Sequence, residues 1–231
     1  NRRHEVFYYL NLVSEIEKRV LGRDTVSAAF PDTALEVSDE RLSAATSKLA
    51  EFGADPLKRT VALGVGSTNS RAKRWPVERY AELADRLRRN VDVNVILIGS
   101  KDECEIAEKV AGFCQVKPIN IAGKTNLSEA VSILASVDLL IANDMGLAHV
   151  APAVGTDTIV IFGPTNPETT RPFSENALLI RKDVDCSPCM LRDCPIDHRC
   201  MTRVSVDEVY EAATEKLSQP PVVIEDFGEE G

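Results

Sequence analysis

Residues 138–165 run DLLIANDMGLAHVAPAVGTDTIVIFGPT, an order of apolar and polar stretches from which the architecture follows. An apolar run at 138–142 is too short for an ordinary helix and lacks the alternation of a half-exposed strand. It gives way to Asn143 and Asp144, then to a stretch with helical spacing over 146–154, then to a second apolar run at 158–162 that ends at Gly163. Two continuously apolar strands joined through a helix make a βαβ unit, whose strands are parallel and buried on both faces.

The same alternation extends outward in both directions. Further strands are expected at 60–65 (TVALGV), 93–98 (VNVILI), 119–121 and 177–181, and further helices at 77–89, 102–112 and 127–136. Short connections separate them, so the expectation is an α/β, Rossmann-like, doubly wound parallel sheet. In such a sheet ligands bind beyond the carboxyl ends of the strands, so those loops are where chemistry is sought.

Upstream, Val6, Tyr9, Leu10, Val13, Ile16 and Val20 fall on one helical face that stops at Gly22, and a second helix opens at Ser38 and stops at Gly53. Residues 1–57 are therefore read as a helical connector, 58–218 as the α/β domain, and 219–231, with two prolines and an acidic end, as a loosely held tail. The sequence begins at Asn1 with an amphipathic stretch directly behind it, which reads as the later part of a longer protein.

The loop after the first strand, GSTNSRAKRWP, carries Ser67, Thr68, Arg71, Lys73 and Arg74. Hydroxyls, backbone amides and a lysine ahead of a helix suit a phosphate; a solvated surface loop is the other reading. Trp75, beside Pro76 at the helix start, is read as a packing anchor. After the second strand, Asp102 and Glu103 either complement a helix dipole or accept hydrogen bonds from ribose hydroxyls. Lys124 and Thr125, after the third strand, belong either to a plain connection or to the same ligand side.

After the fourth strand the start of a helix presents the amides of Met145, Gly146 and Leu147, with Asp144 before them and His149 behind. Free amides backed by a helix dipole suit a pyrophosphate, whereas Asp144 as a helix cap and His149 as a core imidazole is the simpler alternative. The fifth strand ends in GPTNP, which places Thr165 on the same side.

Composition limits the rest. The chain has 231 residues, 44% hydrophobic and 27% charged, enough for one sizeable core, and a net charge of −9. That charge draws neither nucleic acid nor an anionic surface, so any phosphate is held locally. No apolar run approaches the roughly 20 residues of a membrane span, and no charged-then-apolar leader is visible, so a cytoplasmic location is expected. Four of six cysteines, Cys186, Cys189, Cys194 and Cys200, crowd together with His198 among them. A structural zinc site is one reading and simple thiol burial the other, since the last two spacings are not those of a regular zinc ribbon.

Taken in order, AKRWP, AGKTNL, NDMGLAHVAPAVGT, FGPTNP and CSPCMLRDCPIDHRCM resemble the lipopolysaccharide heptosyltransferases of glycosyltransferase family 9, the second heptosyltransferases more than the first. The similarity spans about residues 59–216, and RRHEVFYYL resembles that family's inter-domain segment. The resemblance implies the C-terminal half of a GT-B enzyme: an inverting glycosyltransferase moving heptose from ADP-heptose to the lipopolysaccharide inner core. It implies that Lys73 stabilises the donor phosphates, that Ser67 and Thr68 assist, and that Asp144, Met145, Gly146, Leu147 and His149 surround the pyrophosphate and sugar. It implies no required cofactor, no nucleic-acid partner, an acceptor bound through an N-terminal domain, and a position at the inner membrane without a span. The family's general base lies in that other domain, so this chain alone is expected to bind donor weakly and to turn over nothing. Met145 stands where Ser or Thr is usual and Asn166 where Asp is usual, which removes a hydroxyl and a carboxylate. The rival readings are a sugar-nucleotide epimerase of the same architecture and a non-catalytic nucleotide- or metal-binding module.

Overall fold

The computed structural model describes residues 4–26, 31–68 and 70–219. In chain order the strands are β1 Thr60–Gly64, β2 Asn94–Leu97, β3 Ile119–Asn120, β4 Leu139–Asn143, β5 Asp157–Phe162 and β6 Ala177–Arg181. The helices are α1 Glu5–Leu21, α2 Asp39–Glu51, α3 Val77–Asn90, α4 Cys104–Phe113, α5 Leu127–Ala135, α6 Gly146–Ala153, α7 Pro167–Thr170, α8 Arg199–Thr202 and α9 Val206–Ser218. The six strands form one sheet in the order β3-β2-β1-β4-β5-β6, and every neighbouring pair is parallel.

Side-chain alternation divides each strand between two cores. Val61, Leu63, Val95, Leu97, Leu139, Ile141, Ile159 and Ile161 face a core that includes Leu83 and Leu87 of α3, Val110 of α4 and Val209 of α9. Ala62, Ile96, Leu140, Ala142, Val160 and Phe162 face the other, with Leu49 of α2, Ile133 and Leu134 of α5, and Ala148 and Ala151 of α6. Helices thus cover both faces, which is why the strands are apolar throughout.

Because the chain runs β1-β2-β3 in one direction and β4-β5-β6 in the other, the connections diverge between β1 and β4. Divergence opens a crevice at the carboxyl ends of those two strands. The loops after β1 and β4 are the two whose residues carry the phosphate-binding reading.

Local signals explain the boundaries. Gly22 closes α1 in the left-handed region, at φ 65. Asn126 caps α5 and Ser205 caps α9, each in a reciprocal pair with a glutamate three residues on. Trp75 is buried, its Nε1 donating to the Val204 carbonyl at 3.0 Å, with its ring edge-on to Tyr80 at 5.0 Å. α2, read from sequence as connector, packs beside α5: Ala45 and Leu49 are buried, and Lys48 pairs with Glu129 at 2.5 Å. The acidic tail lies outside the described residues from 220 onward. Among the described residues no helix is long and apolar enough to cross a membrane.

Candidate functional site

A cleft of about 550 Å³ opens beyond β1 and β4, and Ser67, Thr68, Lys73, Glu103, Asp144, Met145, Gly146, Leu147 and His149 all line it. Nine of the ten predicted binding residues therefore share one surface. Ser100, Leu127 and Val150 complete the wall. Leu127, on the first turn of α5, is largely exposed, and with Met145 and Val150 it offers an apolar side to a cleft otherwise rich in donors. A leucine directly behind the Asn126 cap, at the first position of the helix, was the available sequence signal.

The electrostatic centre is a buried ion pair. Lys73, on the turn Arg71–Lys73, places Nζ 2.7 Å from Asp144 Oδ2, with the carboxylate side chain 4% exposed and the lysine 25%. Thr165 Oγ1 donates to the same Oδ2 at 2.6 Å. Thr165 is buried and does not line the cleft, so its hydroxyl holds Asp144 from behind instead of reaching into the cavity. Desolvating two charges offsets most of their attraction, so such a pair is weak evidence for stability and better explained by what it positions.

α6 begins at Gly146 without a side-chain cap; Met145 precedes it in extended conformation and makes no side-chain hydrogen bond to the helix amides. A missing cap leaves the first-turn N–H groups and the positive end of the helix dipole directed outward, a ready anion site. An added Cβ on Gly146 would meet nothing within 4 Å, so the approach to these amides is open.

Asn143 was not singled out from sequence, yet it assembles the site. It is fully buried; Oδ1 accepts from Trp75 N at 2.9 Å and Tyr80 Oη at 3.1 Å, while Nδ2 donates to the Val65 and Gly66 carbonyls at 2.9 and 3.0 Å. One amide thereby ties the end of β4 to the loop after β1 and to the start of α3. Arg74 adds a bond from Nη2 to the Ser67 carbonyl at 3.0 Å.

Glu103 sits 3% exposed at the turn after β2. Its Oε2 accepts from Ser100 N at 2.8 Å and Ser100 Oγ at 3.1 Å, and its Oε1 is buried with no partner in the protein. A buried acceptor without a donor is costly, and an acceptor lining a cleft invites a ligand hydroxyl. The carboxylate lies over Gly66, where an added Cβ would be 2.1 Å from Oε1 and 2.3 Å from Cδ. Gly66→Ala is expected to displace the carboxylate at a cost of about 1–3 kcal/mol, read as a melting temperature lower by roughly 2–12 °C. An unshifted melting curve would show that the carboxylate does not rest there.

His149 keeps part of its ring in solvent but is flanked by the cleft walls. Partial burial lowers its pKa below the ordinary 6.5, opposed by the nearby Asp144 carboxylate. A second hollow of about 470 Å³, lined by Glu5 and Tyr9 of α1 and by Thr169, Thr170 and Ser174, meets the first at Lys73, Asp144 and His149. A larger hollow of about 1190 Å³ between residues 31–37 and 171–177 contains none of the predicted residues.

The four clustered cysteines lie between β6 and α8, the last of them inside that helix. Cys186, Cys189, Cys194 and Cys200 are free, and among the described residues no three His, Cys, Asp or Glu side chains form a group that could hold a metal ion. Cys200 is turned into the core, and burial pushes its thiol up to about 11, so it is neutral at pH 7. Cys186 packs on the same core and Cys189 points outward. His198 is committed elsewhere, with Nε2 2.6 Å from the Ala72 carbonyl.

The model of the family described as glycosyltransferase family 9 (heptosyltransferase) matches residues 3–199. A lipooligosaccharide heptosyltransferase 2 of Campylobacter jejuni is 30% identical over 164 residues, covering 69% of this chain and 51% of that protein. A solved structure of the Escherichia coli ADP-heptose lps heptosyltransferase II superposes with a TM-score of 0.69 at 28% identity, over 80% of this chain and 54% of that one. A family 9 glycosyl transferase from Veillonella parvula gives 0.76 at 23% identity, over 95% and 61%, a likeness of fold. The chain spans about half the length of the curated relatives it matches.

Proposed function

Since the chain belongs to glycosyltransferase family 9, we propose that it is the donor-binding half of an inverting heptosyltransferase, holding ADP-heptose for transfer to the lipopolysaccharide inner core. The observation that carries this reading is the convergence of Lys73, Asp144 and the uncapped start of α6 in one cleft. The names of the relatives, which act in lipopolysaccharide or lipooligosaccharide assembly, supply the sugar and the acceptor.

In this reading the diphosphate lies across the α6 amides, and Lys73 divides its ammonium between Asp144 and the phosphate oxygens. As the sugar leaves, negative charge grows on the diphosphate. Amides and an ammonium already aimed at that position stabilise it without reorganisation, so no cofactor is required. Glu103 Oε1 accepts a ribose hydroxyl, Leu127 and Val150 flank the base, and Ser67 and Thr68 support the phosphates. The heptose extends past His149 toward Thr169 and Thr170. Asp144, held by an ammonium and a hydroxyl, is a poor general base. The base therefore comes from a second α/β domain, which packs over the exposed Tyr8, Leu12, Ile16 and Val20 side of α1 and also carries the acceptor. Residues 1–21 then serve as inter-domain segment, and the assembled enzyme works in the cytoplasm at the inner membrane.

Calorimetry with ADP, ADP-heptose and UDP-sugars tests this. Heat specific to the adenine nucleotides, unchanged by chelator, and no sugar transfer by the isolated chain are expected. Equal or absent heats with all nucleotides would refute donor binding and favour a non-catalytic module.

The histidine gives an independent check. A folded pKa below the unfolded one means that the unfolded chain binds the extra proton in the window below 6.5, so stability rises with pH there and is level above it. Partial solvent exposure keeps that effect small. By NMR, His149 is expected to titrate below 6.5 in the free chain and to shift upward when a diphosphate's negative charge enters the cleft. An unmoved titration on saturation with ADP would place the ligand elsewhere.

A further inference from the structure

The segment from Cys186 to Cys200 follows β6 and ends in α8, and it touches both supports of the Lys73–Asp144 pair. On one side it grips the lysine-bearing turn. Ala72 N and Ser70 Oγ donate to the Arg192 carbonyl at 2.9 and 3.3 Å, and Arg71 pairs with Asp193 at 2.6 Å. His198 Nε2 meets the Ala72 carbonyl at 2.6 Å. A carbonyl only accepts, so this nitrogen carries the proton. Both polar backbone groups of Ala72, the residue before Lys73, are thus held by one loop.

On the other side the loop grips the turn that carries Thr165. Ser187 Oγ donates to the Gly163 carbonyl at 2.7 Å, and the amides of Cys189 and Met190 donate to the Pro164 carbonyl at 3.0 and 2.8 Å. Gly163 also packs so closely on the α8 end of the loop that an added Cβ would lie 2.3 Å from Met201 Sδ and 3.4 Å from Cys200 Sγ. Thr165 in turn bonds Asp144, and Asp144 bonds Lys73.

We propose that this cysteine-rich loop is a two-sided clamp that sets the separation of Lys73 and Asp144, with His198 and Ser187 as its positioning residues. The inference rests on Lys73 being the phosphate ligand. The ordering is mechanical: the loop fixes two turns, the turns fix an ammonium and a carboxylate, and a displacement of about 1 Å at such a group can cost up to about 100-fold in function. Neither side chain touches the ligand.

The test uses the whole chain with His198→Ala, His198→Gln, Ser187→Ala and the remote core variant Val209→Ala. Two quantities are read: ADP affinity by calorimetry, and the acylation rate of Lys73 followed by mass spectrometry. His198→Ala and Ser187→Ala are each expected to weaken ADP binding about tenfold and to raise Lys73 acylation several-fold, as the ammonium loses its fixed partner. His198→Gln, whose amide nitrogen reaches the same carbonyl, is expected to restore both. Val209→Ala lowers the melting temperature and is expected to leave both readouts in place. Wild-type affinity and acylation in the two alanine variants would overturn the clamp, as would equal changes in Val209→Ala. If the unaltered chain binds no ADP, donor binding by the cleft fails, while Lys73 acylation still decides whether the loop positions the pair.

Discussion

Asn143→Ala is expected to destabilise the chain by about 4 kcal/mol, the largest effect of any single substitution in the site. Four buried hydrogen bonds depend on this amide, and removing it strands the Trp75 N–H and the Val65 and Gly66 carbonyls. Each buried group left unpaired costs about 1–3 kcal/mol. Tyr80 Oη retains a long contact of 3.4 Å to the Gly64 carbonyl, which spares one of the four. In a domain of this size the loss corresponds to a melting temperature lower by roughly 8–16 °C. Asn143→Asp separates hydrogen bonding from packing. Its carboxylate still accepts from Trp75 and Tyr80 but faces two carbonyls with no donor, so burial and repulsion favour its protonated form. A folded pKa raised above the usual value of about 3.9 makes stability fall as pH rises through that folded pKa. The Asp variant should therefore recover toward wild type as the pH is lowered to about 5, while the Ala variant should not. A loss under 1 kcal/mol in Asn143→Ala would mean that β4 and the loop after β1 are held together by something else.

Lys73→Met is expected to weaken ADP binding by about 10- to 100-fold, because a hydrogen bond from a charged group contributes about 1.5–3 kcal/mol and each 1.4 kcal/mol is tenfold. Methionine keeps the length and apolar stem and removes the charge. It also leaves Asp144, 4% exposed, with Thr165 as its hydroxyl donor beside the diphosphate, so repulsion adds to the lost attraction. The double variant Lys73→Met, Asp144→Asn should recover part of the binding, since a neutral amide no longer repels the phosphates. Unchanged affinity in the single variant would remove Lys73 from the site.

The sheet was legible because its strands carry a strong local signal. Val95–Ile98 and Leu139–Ala142 are apolar at every position, which only burial on both faces explains, and the observed β2 and β4 fall within one residue of the expected ends. Ligands gather beyond the carboxyl ends of such strands, so Lys73 and Asp144 could be assigned to one phosphate site from sequence, although their ion pair could not. What topology does not fix is the direction of a side chain leaving a turn. Thr165 follows the expected strand end but turns toward Asp144 and away from the cavity. The same limit hid Asn143, whose four partners come from two segments distant in sequence, the loop after β1 and the start of α3.

α9 is a different case. Val206, Val209, Ala213 and Leu217 recur at helical spacing behind a Ser205–Glu208 capping pair, so the signal was present in residues that lay between the cysteine cluster and the tail. In the cysteine-rich loop the Cys200 thiol lies in the core and Cys189 at the surface.

The most direct test of the central claim is a crystal structure of the chain grown with saturating ADP. The diphosphate is expected within hydrogen-bond distance of Lys73 Nζ and the first amides of α6, with a ribose hydroxyl on Glu103 Oε1. Nucleotide bound in another hollow, or a cleft left empty at saturation, would contradict it.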